Sequence, residues 1–329
     1  MERIAIWTPP PDARHVALSP AMTHAAVLTA DSITLVHTGT NTITATLPAG
    51  DANWLAVRDD GAFVATISAD RKVRVIPVAT PADARPLTIL CGTRNTAGCD
   101  AHNFHDETRF DPEQFVFAPR GDLMIVSERR FDDLETYYGG GSLGGDATTW
   151  VVRGSTGAAR VLSVDCQIGN ITYSSRDDEV YADHPIAAVW SPRADLIALI
   201  FKKRGAVAVH RLVDDTWHAA PRPPHDEVHA AAFTPDETTL LLARGTRVIR
   251  WDLGRGEEQG ALVTSVEVHA LAPAPADPRL AILDLHGALT LHGDAPETPP
   301  QDHPSPACAI AWPDDLRVRH ADGTLHLWR

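Results

Sequence analysis

The stretch CGTRNTAGCDAHNFH places two thiols and two imidazoles, Cys91, Cys99, His102 and His105, in one short run of chain. Nitrogen and sulfur donors of this kind suit a tetrahedral zinc ion, and a long loop gains rigidity by holding one. Seven residues separate the two cysteines, whereas zinc loops usually leave two to four. A second reading therefore stands beside the first. Cys91 closes the apolar segment LTILC, much as Cys166 closes VLSVDC, so both fit as thiols at strand ends.

A different chemistry is written into RRFDDLETYYGGGSLGGDA, residues 129–147. Phe131, Tyr137 and Tyr138 offer large apolar area at low entropic cost, and Asp132, Asp133 and Glu135 offer charge complementarity to a basic partner. The glycine run at 139–145 is not followed by the Lys and Ser or Thr of a phosphate cradle, so it is expected to be a flexible hinge. A loop whose aromatics pack back onto the protein body is the alternative. Serine, histidine and aspartate are spread through the whole chain and mark no catalytic triad.

The elements that would hold these groups follow from repetition. HVALSP, WLAVRDD, FVFAPRG, AAVWSPR, AAAFTPD, ALAPAPAD and AIAWPDD each join a short apolar run to a turn and then a second apolar run. Their turn residues Pro20, Asp60, Pro119, Pro192, Pro235, Pro273 and Pro313 mostly recur at about 40 residues, the period of four-stranded propeller blades. In the first unit HVALS, AAVLT, ITLVH and ITATL are the four strands, separated by turn-forming clusters. One such sheet has two apolar faces and must stack on neighbours, and stacking in a ring leaves no terminal face exposed. The expected fold is all-β: a seven-bladed propeller forming one domain over residues 1–329. The last unit has three strands and RIAIW at the start has no blade of its own, so the N-terminal strand is expected to complete the C-terminal blade. The fourth strand of the sixth unit falls in the proline-rich PETPPQDHPS and has no clear place.

Two intervals, Asp60 to Pro119 and Pro119 to Pro192, exceed the period by roughly 20 and 30 residues. They resolve into inserts at 91–113, 129–147 and 166–184. In an up-and-down blade the connection between strands two and three and the one leaving strand four emerge on the same side. All three inserts are therefore expected on one face, around blade three.

Composition narrows the partners. A formal charge of −14 repels a phosphate backbone, so nucleic acid is not expected. There is no apolar run near the ~18 residues that cross a bilayer, and MERIAIWTPPPD has no secretory-signal pattern, so no membrane association and a cytoplasmic location are expected. Four cysteines are too few for a disulfide framework in 329 residues, and no cofactor is implied. Lysine occurs only at Lys72, Lys202 and Lys203, a bias associated with GC-rich bacterial genomes.

HADGTLHLWR at 320–329 and RVIRWDL at 247–253, with Trp251 and Asp252 as a WD pair, resemble the third-strand signature of WD40 repeat proteins. The turns in VWSPRADL and AFTPDETT resemble the turn after that family's first strand, so the chain is similar to a divergent bacterial member. No unit carries the family's Gly-His pair, and His37, Ile76, Val152, His210 and His292 stand where the signature Trp is expected in other units. The resemblance implies a noncatalytic protein–protein interaction scaffold, with Phe131, Asp132, Asp133, Glu135, Tyr137 and Tyr138 as partner-binding residues. The alternative is a propeller-type metal-assisted hydrolase or lyase with histidine ligands drawn from His102, His105 and the channel-mouth histidines that begin first strands, His15, His229 and His269.

Overall fold

A computed structural model describes residues 3–68, 72–88, 111–121, 123–135, 141–153, 159–170, 185–201, 205–213, 216–221, 223–224, 227–276, 278–293, 303 and 305–328. Among them the chain forms β-strands and one turn of 3₁₀ helix, Pro81–Asp83, and no helix is long and apolar enough to cross a membrane. Strand β1 is Arg3–Trp7. Blade one is β2 (His15–Leu18), β3 (His24–Leu28), β4 (Ser32–His37) and β5 (Thr42–Pro48). Blade two is β6 (Ala52–Val57), β7 (Phe63–Ser68), β8 (Lys72–Pro77) and β9 (Arg85–Thr88). Blade three is β10 (Asp111–Phe117), β11 (Leu123–Glu135), β12 (Gly141–Arg153) and β13 (Ala159–Asn170). Blade four is β14 (Pro185–Trp190), β15 (Leu196–Phe201), β16 (Val207–Val213) and β17 (Thr216–Ala219). Blade five is β18 (Ala230–Phe233), β19 (Thr239–Arg244), β20 (Arg247–Asp252) and β21 (Glu257–Val263). Blade six shows β22 (Val268–Pro273), β23 (Leu280–Asp284) and β24 (Leu289–His292), and residues 294–302 lie outside the described residues. Blade seven is β25 (Ala307–Ala311), β26 (Leu316–His320) and β27 (Leu325–Trp328), completed by β1 in the order β1-β27-β26-β25.

The sheets form because every strand alternates or runs apolar between turn residues, and they form a ring because each has two apolar faces. Among the described residues the buried side chains fall into seven clusters, one at each blade-to-blade contact. Leu35 and Leu55 join blades one and two; Val75 and Phe117 join two and three; Ile125 and Leu199 join three and four. Val209 and Leu240 join four and five, Leu241 and Ile282 join five and six, and Leu283 and Leu316 join six and seven. Trp7 and Leu325 of blade seven meet Met22, Ala25 and Val36 of blade one, closing the circle. Burying each large aliphatic side chain stabilises by about 1.5–3 kcal/mol, so the folded energy is distributed around the whole ring.

Register identifies the position occupied by the signature Trp. Leu240 stands opposite Trp251, Leu316 opposite Trp328, Ile197 opposite His210, Leu280 opposite His292, Val64 opposite Ile76 and Met124 opposite Val152. In blade one the equivalent pair is Ala25 and Val36, not His37. His37 follows one residue later and packs edge-on against the His24 ring at 5.1 Å.

The turns between first and second strands share one corner. Met22, Gly61, Gly121, Ala194 and Glu237 all have left-handed φ, between 53° and 73°. The amide of each of Met22, Gly61, Ala194 and Glu237 donates to the carbonyl three residues back at 2.8–2.9 Å. At Gly61 a side chain is excluded twice over, by φ +67° and by the His24 ring, whose Cδ2 lies 2.7 Å from where a Cβ would be.

Candidate partner-binding site

Blade three is built to a different length from the rest. Its second, third and fourth strands hold 13, 13 and 12 residues, whereas strands in the other blades hold four to seven. The register is continuous along the β11–β12 hairpin from Leu123↔Arg153 to Glu135↔Gly141, and β13 follows β12 out to Ser142↔Asn170. Segments 129–135 and 141–147, expected as a connecting loop, are thus paired strand. So is the first part of the third insert, 166–170, and the last part of the first, 111–113.

The glycine run also departs from expectation. Gly141, Gly144 and Gly145 lie in β12, opposite Glu135, Asp132 and Phe131 of β11, with Gly144 and Gly145 also opposite Ile168 and Gln167 of β13. A strand held on both flanks restricts glycine backbones that would be a hinge if unpaired. GGSLG at 140–144 carries the G-x-S-x-G spacing of a nucleophile elbow, against the expectation that the chain holds none. Ser142 is the second residue of β12, paired opposite both Leu134 and Asn170.

Of the expected binding residues, Phe131, Asp132, Asp133 and Glu135 fall in β11, while Tyr137 and Tyr138 lie outside the described residues. Cys91, Cys99, His102 and His105 also lie outside them. Asp111, Arg129, Ala147 and Asp165 form a row across the sheet. Asp111, Glu135, Gly141 and Asn170 bound the described part of the sheet toward one end, and segments 89–110, 136–140 and 171–184 lie outside the described residues.

The corresponding end of other blades is polar and rich in histidine. Between blades five and six a cleft of about 370 Å³ is lined by Glu227, His229, Arg244, Thr246, Arg247 and Glu267. Arg244 pairs with Glu227 at 3.1 Å, and His229 Nε2 bonds the Val268 carbonyl across the blade boundary. His229, a candidate ligand by sequence, is thus held in a blade-to-blade contact. On blade seven, His303, His320 and His326 pack ring to ring, with centroids 4.1 to 4.9 Å apart. His320 Nδ1 contacts the Ser305 carbonyl at 2.7 Å, and the Ser305 amide donates to His303 Nδ1 at 3.2 Å. His303 Nε2 lies 3.8 Å from Asp322, whose carboxyl is held low chiefly by the Thr324 amide. His269 is exposed, and burial with the nearby Arg319 charge lowers the pKa of His15. Among the described residues no group of three or more His, Cys, Asp or Glu side chains is arranged to hold a metal ion.

The first strands line the middle of the ring, where a cavity of about 240 Å³ is bounded by Ala17, Ala56, Val57, Phe115, Val116 and Arg319. Cys308, in the first strand of blade seven, is half-buried, and burial pushes its thiol up, away from the reactive thiolate. The opposite end of the ring is cross-linked turn to turn. The Ala21 amide donates to Asp59 Oδ1 at 2.7 Å, Arg58 donates to the Gly121 carbonyl, and Arg193 donates to Glu237 through its amide at 2.5 Å and Nε at 2.6 Å. The sequence signal for these links was the recurring Asp, Glu or Arg beside each turn, which reads equally well as solvated charge.

Comparison with known proteins agrees with this architecture. Residues 188–273, spanning blade four to the first strand of blade six, match the family model described as the anaphase-promoting complex subunit 4 WD40 domain. Among solved structures, one titled "Crystal Structure of Mitotic Checkpoint Complex" superposes with a TM-score of 0.55 at 12% identity, covering 100% of this chain and 95% of that one. No curated protein matches the sequence. The chain therefore folds as a seven-bladed WD40-like β-propeller.

Proposed function

We propose that this propeller is a noncatalytic scaffold that holds a partner protein on the face carried by blade three. Phe131, Tyr137 and Tyr138 serve as aromatic anchors, and Asp132, Asp133 and Glu135 complement a basic surface. The observation behind this reading is the overlong blade-three sheet, whose second and third strands pair through residues 131–135. A WD40-type fold suits such a role, and both similar proteins bear the names of multi-protein assemblies.

The test is quantitative affinity capture by the wild type and by the Phe131→Ala/Tyr137→Ala/Tyr138→Ala variant from the native host. The variant should lose the wild type's stoichiometric partner while melting at the same temperature. Capture retained at full yield would reject the reading. Elemental analysis of the same preparations checks the metal-assisted alternative, which requires stoichiometric bound metal.

A further inference from the structure

Two arginines stand two residues apart in β26, Arg317 and Arg319, so their side chains leave the same face of the sheet. That face turns to blade one, where their cross-strand neighbours Ala309, Ala311 and Leu325 pack. Arg317 is engaged there: its Nη1 donates to the Met22 carbonyl at 2.8 Å. Arg319 is half-buried, and among the described residues its guanidinium makes no hydrogen bond or ion pair. Its charge acts on His15 and Cys308, in the first strands of blades one and seven, which places the guanidinium beside the strands around the middle of the ring. A guanidinium stays charged and offers five donors, a match for an anion. With 43 acidic residues against 29 basic ones, a shortage of carboxylates does not account for its lack of a partner.

What Arg319 faces is apolar. It lines the cavity of about 240 Å³ together with Ala17 and Leu18 of blade one, Ala56 and Val57 of blade two, and Phe115 and Phe117 of blade three. Ser19 is the other polar residue on its wall, and the Ser19 Oγ accepts from the amides of Thr23 and His24 at 3.1 and 3.2 Å. Alanine at two of the first strands leaves the room. Protein interiors hold few gaps larger than one water, whereas this volume matches about eight waters of liquid. An apolar cavity with one convergent charged group is the usual form of a small-molecule site.

We propose that this cavity binds a small monocarboxylate with an apolar tail, its carboxylate on the Arg319 guanidinium and its tail against the walls built by Ala17, Val57 and Phe115. The fork of a guanidinium meets both oxygens of one carboxylate. A phosphate would bring further charged oxygens into a lining that has no donors for them. The volume sets the size at roughly eight non-hydrogen atoms, one per water displaced. This site is separate from the blade-three hairpin, and neither reading depends on the other.

The test is isothermal titration of the full chain with hexanoate, which has the proposed size and charge. Hexanamide keeps the size without the charge, hexylammonium inverts the charge, and inorganic phosphate keeps a negative charge without the tail. One saturable site is expected for hexanoate, with binding of the other three at least tenfold weaker. Shortening the acid to butanoate should cost about fourfold per methylene. Arg319→Gln should weaken hexanoate at least tenfold, and Arg319→Lys by less, because an ammonium keeps the charge but not the fork. Ala17→Leu fills the cavity, keeps the guanidinium and should also weaken hexanoate at least tenfold, and thermal melting of each variant checks that it folds. No saturable hexanoate binding to the wild type, equal binding of hexanamide, or unchanged binding by folded Arg319→Gln or Ala17→Leu would overturn the proposal. Phosphate binding as tightly as hexanoate would leave a plain anion site and overturn the tail's part in it.

Discussion

The seam between blades seven and one and the free end of blade three use the same backbone ladder for opposite ends. At the seam β1 pairs with β27 through Arg3↔Trp328, Ile6↔His326 and Trp7↔Leu325, and Trp7 is buried in the cluster shared with blade one. A second link crosses there: Arg317 of β26, itself buried, donates through Nη1 to the Met22 carbonyl at 2.8 Å, beside Thr38 Oγ1 at 3.3 Å. In blade three the residues that join the flanking core clusters include Phe117, Met124, Ile125, Val151 and Val152. By strand length, residues 130–135 and 141–146 reach beyond the second and third strands of the other blades. A strand as long as the blade is deep belongs to the core, and length added past that depth changes what the sheet can present without changing what holds the ring.

The sharpest way to break this comparison is to cut at both places. Deleting residues 1–8 removes β1, leaves β27 with an open edge and uncovers the Trp7 cluster, so thermal unfolding should move down by more than 10 °C or the chain should fail to fold. Replacing residues 130–146 with Asn-Gly, a two-residue turn between Arg129 and Ala147, should leave the melting temperature within a few degrees. Comparable losses in the two variants would show that the overhang is part of the core.

The seam can then be probed by one side chain. Arg317→Met keeps the aliphatic volume but leaves the Met22 carbonyl and Thr38 without the guanidinium. The expected loss is about 1–3 kcal/mol, the cost of abandoning buried polar groups, seen as a fall of several degrees in melting temperature. Arg317→Lys should recover only part of it, because an ammonium lacks the planar fork. A neutral Arg317→Met result would mean that β1 alone closes the ring.

How far the sequence disclosed all this differs by region. The blades were legible because a period-2 apolar pattern between Pro, Asp and Gly turns has few other structural meanings, and the β1 exchange followed from three strands at one end and a spare one at the other. The His37 assignment was one residue late, because the β3–β4 register sets Val36, opposite Ala25, at the Trp position and His37 where Asp252 stands in blade five, and a polar ring beside that position looks more like the signature than valine does. The blade-three insert was located but misread as loop, since glycine lowers strand propensity wherever flanking partners are unknown. Arg317 was invisible as a closure device. Nothing local distinguishes an inward-facing arginine in LRVRH from a solvated one, and its partners lie at the other end of the chain.

Smaller still is the effect of acid, which should act on the ring and spare the overhang's pairing. Burial is the leading cause lowering the pKa of His15, His24 and His210, and it also lowers that of His292. Each folded value lies below the unfolded 6.5, so the unfolded chain binds more protons as pH falls through 6.5 toward the folded values. Their contribution is intact above 6.5 and is lost on acidification through that window. Asp59 has the opposite sign, because burial raises its carboxyl above 3.8. His210 isolates the effect: its Nε2 is buried with no hydrogen-bond partner, and burial is the one cause of its shift. His210→Phe removes the polar atom at the position Trp251 fills in the next blade, so melting temperature at neutral pH should hold or rise slightly and its decline between pH 7 and 5 should become shallower. An unchanged slope would place the acid sensitivity in the other histidines and make His210 indifferent to charge.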